Sequence, residues 1–219
     1  MPRKPAMPGI DRRQQLLEVA LAVFAEQGFE AATTKEITDC AGVNQGLIYF
    51  YFESKADIFL ATFEHHARLV LAQLDTIFEQ EHDEDPATDL TRLLRQIMVV
   101  LDTPQAINLL RMMHQIASSR TPEGPISGQE KWQDVSMLWR HLSQRLCAYL
   151  DSQVARGKLR PVKTGLAASL MTRTLLSSIV GRLPGRLAYV LPSTQEQAEM
   201  IATLFCYGLL PREEQADTH

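Results

Sequence analysis

A chain of 219 residues and 24.7 kDa buries roughly 70% of its unfolded surface, so one large domain or two small ones can form without a metal or disulfide staple. Its 45% hydrophobic and 22% charged residues exclude wholesale disorder. A net charge of −4 excludes a histone-like basic protein but leaves room for a local basic patch.

Helix punctuation runs through the chain. Asp11 with Gln14 opens a helix predicted over 11–27, striped by Leu17, Leu21 and Phe24 and stopped by Gly28. Thr33 with Glu36 opens a second over 34–41, which Gly42 ends, and Asn44 caps a short third over 45–52. Ser54 with Asp57 opens a long fourth over 55–81, with Phe59, Phe63, Val70, Leu74 and Ile77 on one face. At ~1.5 Å per residue it spans about 40 Å, enough to join two parts rigidly. Leu90, Leu94, Ile97 and Leu101 mark a fifth over 87–102, and Thr103-Pro104 opens a sixth over 104–119. Ser127 with Glu130 precedes a seventh over 128–156, striped by Val135, Leu138, Leu142, Leu146 and Tyr149. An eighth runs over 163–183, and Ser193 with Glu196 opens a ninth over 194–210. No window alternates apolar and polar residues as a half-buried strand must. The expected fold is all-α: a three-helix N-terminal unit over 1–53 and a larger helical bundle over 54–219.

The window TTKEITDCAGVNQGLIYFYFESK, residues 33–55, carries the most information. A helix-turn-helix needs a first helix, a tight turn, and a second helix whose N-terminal side chains reach the major groove. Gly42 sits where the first helix must stop and tolerates a left-handed turn. Ile37, Ala41, Val43 and Ile48 occupy the inward positions, and Phe50 and Phe52 are assigned to the core as well. The alternative, a compact three-helix corner with no DNA role, explains the apolar spacing but not its agreement with caps, glycine and terminal lysine.

In these residues the window resembles the DNA-binding domain of TetR-type transcriptional regulators. The matching positions are Thr33-Thr34, Ala41-Gly42-Val43, Asn44, Gly46, Ile48-Tyr49, Tyr51-Phe52 and Ser54-Lys55, within a region covering 11–63. ARGKLR at 155–160 looks like a turn of the same family. The resemblance implies a ligand-responsive repressor that binds double-stranded DNA, a palindromic operator, as a homodimer. It also implies dimerisation through the last two helices and release by a small apolar effector. Thr33, Thr34 and Lys35 would meet phosphates, and Asn44, Gln45, Gly46, Leu47 and Tyr49 would face the groove. Tyr51 would reach backbone or base edges, and Lys55 would hold a further phosphate at a helix start. Gln45 stands where the family often has lysine. Residues 1–55 hold six basic side chains against seven acidic ones, so few phosphate contacts and a shallow salt dependence are expected.

Residues 163–183 are small or apolar on nearly every face, and a helix of that kind must be covered all round. Pairing of the last two helices with their symmetry mates would cover them, through Leu166, Leu170, Ile179, Ile201, Phe205 and Leu209. The alternative is an internal core pair. For the effector, the middle helices offer Met98, Met112, Met113, Met171, Trp139 and His114, adaptable thioethers and flat rings suited to an apolar molecule. Methionines at helical spacing equally fill an ordinary core.

No catalytic motif, cofactor loop or metal motif occurs, and the chain is expected not to be an enzyme. His65 and His66 are adjacent on a helix and are expected to point apart; His114 and His141 could meet across helices, the alternative and commoner case being a buried or solvated histidine. Cys40, Cys147 and Cys206 lie in no C-x-x-C spacing, which fits a reducing compartment. MPRKPAMPG lacks the apolar run of a secretory signal, and no stretch approaches a membrane span, so a cytoplasmic location is expected. Two further readings are a small-molecule carrier or enzyme without DNA binding, and a protein-interaction module using YFYF as an anchor.

Overall fold

The computed structural model describes residues 11–81, 84–118, 137–180 and 193–209. Their regular structure is helical: α1 (Arg12–Ala31), α2 (Thr34–Ala41), α3 (Gln45–Tyr51), α4 (Lys55–Phe78), α5 (Pro86–Leu101), α6 (Pro104–Ser118), α7 (Met137–Ala155), α8 (Thr164–Val180) and α9 (Thr194–Leu209). Each falls on a segment predicted to be helical. Residues 128–136 of the predicted seventh helix and 181–183 of the eighth lie outside the described residues. Helix α4 stops at Phe78, before the acidic residues to which it was predicted to extend. Like charges crowding the negative end of a helix dipole oppose continuation there.

Two compact units divide the chain: Met1–Ala67 with Asn108–Val135, and Arg68–Ile107 with Ser136–His219. In the first, α1, α2, α3 and the start of α4 enclose Leu16, Leu17, Phe24, Ile37, Ile48, Phe52, Ile58, Phe59 and Phe63, all essentially sealed from solvent. Phe59 meets Phe24 edge-on at 5.0 Å and Phe29 at 5.5 Å between ring centroids. Gly28 breaks the helical path of α1 at a φ of 82°, the stop that its glycine signalled. Gln115 in α6 donates to the Ala25 carbonyl at 3.2 Å and so satisfies a backbone acceptor just before that break.

In the second unit α9 lies along α5 and α7 along α8. The buried residues are those of the predicted stripes, Leu90, Leu94, Ile97 and Leu101 on α5 with Leu138, Leu142, Leu146 and Tyr149 on α7. Polar ties fix the helices laterally. Asp75 accepts from His141 Nε2 at 2.8 Å and pairs with Arg145 Nε at 3.1 Å. Arg95 reaches Glu199 on α9 at 3.1 Å. Pro86 and Pro104 stand first in α5 and α6, where a missing N–H costs nothing.

Candidate nucleic-acid interface

The turn between α2 and α3 is built from local chemistry. Thr33 is a complete capping box: its hydroxyl accepts from the Glu36 amide at 3.2 Å, and its own amide donates to the Glu36 carboxylate at 3.0 Å. Gly42 takes a left-handed φ of 66°, and the Val43 amide bonds back to the Thr38 carbonyl at 3.0 Å. Gln15 of α1 donates to the Ala41 carbonyl at 2.8 Å. It caps α2 from outside the motif, a role that its sequence position gave no sign of. Asn44 Oδ1 accepts from the Gly46 amide at 2.8 Å and starts α3.

These caps leave one face of α3 open. Gln45, Gly46, Tyr49 and Phe50 are exposed, while Ile48 is sealed in the core. The expectation that Phe50 packs inward is corrected: it is 76% exposed, against 3% for Phe52. Residues four apart share a helical face, so Ile48 and Phe52 point inward together and Phe50, midway between, cannot join them. Tyr49 is anchored at its tip, with its hydroxyl 3.3 Å from the Thr34 hydroxyl at the start of α2. Lys35 and Asn44 are exposed, and Leu47 and Tyr51 are half-buried. Lys55 has a structural engagement. Its ammonium donates to the Glu30 and Ala32 carbonyls, each at 3.1 Å, and lies 4.6 Å from the Phe29 ring centre.

Bonds from the Thr33 hydroxyl and then its amide hold the Glu36 carboxyl below its ordinary value. The folded chain therefore binds fewer protons here than the unfolded one. The cap's contribution is full above the unfolded carboxyl value, near 4.5, and is lost as pH falls through the lower folded one. Thr33→Ala is expected to cost about 0.5–2 kcal/mol. In urea unfolding at pH 7 and pH 4, Glu36→Gln should flatten the acid-side loss.

The residues proposed for an effector are distributed over both units. Met112, Met113 and His114 belong to the first, with His114 exposed. Met98 and Met171, fully buried, and half-buried Trp139 belong to the second. His141 is bonded to Asp75. Of the dimer candidates, Leu166 and Leu170 on α8 are 59% and 48% exposed. Ile201 faces inward and Phe205 is half-buried. The side chains of Ile179 and Leu209 lie outside the described ones. Met200 and Leu204 on α9, not singled out from the sequence, are exposed too. Their helix pattern is apolar on both faces, so only packing against α5 reveals which side is left open.

A family model for bacterial regulatory proteins of the tetR family matches residues 16–62, and one for the C-terminal domain of AefR-like transcriptional repressors matches 88–204. The chain belongs to the TetR family. Among curated proteins, this TetR-family chain is 30% identical over 110 residues to the transcriptional regulator AcrR of Shigella flexneri, which is 50% of this chain and 51% of AcrR. It thus spans about half the length of such relatives. Among solved structures its fold is similar to that of FadR from Bacillus subtilis in complex with stearoyl-CoA, with a TM-score of 0.69 at 17% identity. That likeness covers 89% of this chain and 98% of FadR. It is also similar to SmeT, the repressor of a Stenotrophomonas maltophilia multidrug efflux pump, with a TM-score of 0.66 at 20% identity, covering 91% and 90%. The TetR family consists of transcriptional regulators rather than enzymes. Among the described residues, no helix of this TetR-family protein is long and apolar enough to cross a membrane.

Proposed function

We propose that this TetR-family protein is a repressor that binds a near-palindromic operator as a homodimer and releases it when a small apolar effector binds. The exposed face of α3 carries the reading. Gln45, Gly46 and Tyr49 stand together on a short helix capped at its start, the arrangement that presents side chains to base edges. Gln45 has the donor and acceptor pair that suits adenine, and Gly46 admits close approach to the groove. The exposed apolar side chains of Leu166 and Leu170 on α8 and of Met200 and Leu204 on α9 support pairing of these helices with a second copy. Molecules named with structural neighbours, stearoyl-CoA with its long acyl chain in FadR and aromatic triclosan in SmeT, support an effector with a large apolar part. By linkage, effector and operator weaken each other's binding by the same factor.

Selection from a random DNA library with purified protein, at two salt concentrations, tests the operator. A pseudo-palindrome should emerge, with half-sites about 34 Å apart or somewhat more. The few basic side chains of the first unit predict a log–log salt slope well short of the roughly −9 that ten phosphate contacts would give. Gln45→Ala and Tyr49→Ala should each weaken operator binding by about tenfold or more, at about 1–3 kcal/mol per base contact, with unfolding curves unchanged. Lys55→Ala is a poor probe, since it also releases two carbonyls of the first unit.

A further inference from the structure

Phe50 is the exposed side chain of α3 that the operator reading leaves without a task. At 76% it is the most exposed large apolar side chain among the described residues. With about 100° of turn per residue, Gln45, Tyr49, Gly46 and Phe50 fall in that order within an arc of about 140°. The sealed Ile48 lies on the opposite side. Phe50 therefore closes one end of the outward face that Gln45 opens. The half-buried Tyr51 ring meets the Phe50 ring edge to face, with centroids 5.0 Å apart, and hinders it from turning back over the helix. One turn earlier stands Gly46, where an added Cβ would meet only Asn44 Oδ1, at 3.5 Å. That gap leaves room for a base edge to come up against the ring.

The chemistry of a phenyl ring narrows what it can touch. It has no donor for a phosphate and none for a base acceptor. Standing among Gln45, Gly46 and the hydrogen-bonded tip of Tyr49, it offers far less than the roughly 800 Å² per partner of a specific protein interface. Of the groups that base edges present in the major groove, the apolar one is the C5-methyl of thymine. We propose that Phe50 is a specificity-determining residue, packing its ring on the C5-methyl of one thymine in each half-site. The contact favours T·A there without a hydrogen bond, alongside the polar reading by Gln45. It rests on the operator reading and adds to it a base pair that polar contacts do not read.

The test uses the full-length protein and the operator recovered by library selection. Each thymine is replaced in turn, in both half-sites at once, by deoxyuridine, which lacks the methyl group alone. Wild type and Phe50→Ala are titrated against every member of the series. Removing one methyl from such a contact should weaken binding about fourfold per half-site, hence about fifteenfold for the symmetric pair. Wild type should show that loss at one thymine position and Phe50→Ala less than about twofold there, the coupling of a double-mutant cycle. Phe50→Leu, which keeps an apolar side chain, should retain part of the discrimination. The ring is exposed, so unfolding curves of both variants should match wild type. Unchanged operator affinity in Phe50→Ala would overturn the inference. Deoxyuridine losses of equal size in wild type and Phe50→Ala would overturn it too, by assigning the methyl to other groups. A wild type insensitive to every deoxyuridine would do the same, by placing the ring against sugar or solvent. Failure of wild type to select any DNA would remove the operator reading itself, an outcome seen before any variant is made.

Discussion

Phe59→Ala is expected to lower the unfolding free energy by about 3–5 kcal/mol, a large share of the ~5–15 kcal/mol typical of a whole domain. The ring is sealed from solvent and touches two other phenyl rings, Phe24 at 5.0 Å and Phe29 at 5.5 Å. Truncation leaves a cavity that no single neighbour can fill, because Phe24 is already fully packed and Phe29 also lies under the Lys55 ammonium. Each edge-to-face contact adds about 0.5–1.5 kcal/mol beyond area burial, which places the loss at the upper end. Phe59→Leu keeps most of the volume and should cost far less, under about 1.5 kcal/mol if the neighbours repack as they do around volume-conserving swaps. Urea unfolding of both variants checks the contrast. A shift below about 1 kcal/mol for the alanine variant would mean that the three rings do not bear the weight of this unit.

Leu170→Glu combined with Leu204→Glu is expected to convert the proposed dimer to a monomer. Both positions are exposed in the single chain, at 48% and 66%, so the changes leave the fold of one copy intact. In a dimer closed by α8 and α9 they place carboxylates in an apolar seam, where an unpaired charge costs several kcal/mol. The loss propagates to DNA. Two tethered half-site contacts gain about 10²–10⁴ in avidity over one, so operator affinity should fall by about a hundredfold or more while each α3 stays intact. Sedimentation and operator titration on the same sample read both effects. A double variant that remains dimeric would move the interface away from this face.

Sequence reading recovered most helices from a cap, a stripe or both: the first, fourth, seventh and ninth from caps with apolar faces, the second, third and sixth from caps, and the fifth from its stripe. Thr33 with Glu36 and Ser193 with Glu196 form the reciprocal bonds that their spacing announces. Side-chain direction was harder wherever tertiary packing decides it. Phe50 was misassigned because YFYF invites a period of two, while α3 imposes a period near four and turns that ring outward. His65 and His66 were expected to diverge on the same helical geometry, yet rotation of each ring about its side-chain bonds brings them together against α1. Lys55 was legible as a charge at a helix start, but the two carbonyls that it reaches belong to residues more than twenty positions earlier. No local pattern encodes that pairing. The open sides of α8 and α9 were hidden for the opposite reason, since their sequences are apolar on both faces and only the packed neighbours distinguish them.

The hydroxyl contact between Thr34 and Tyr49 ties two tasks together over evolutionary time. Thr34 stands at the start of α2, where an anion would be gripped, and Tyr49 lies on the outward face of α3, where a base would be read. On the proposed reading, a substitution of Tyr49 that adapts the protein to a new DNA site would also unfasten Thr34, and a loss of Thr34 would free the tyrosine ring to swing. Lineages diverging in target choice would then alter both positions, with the intermediate passing through a stage of loose grip. Divergence would proceed most readily where two copies of the gene exist and one can bear that stage.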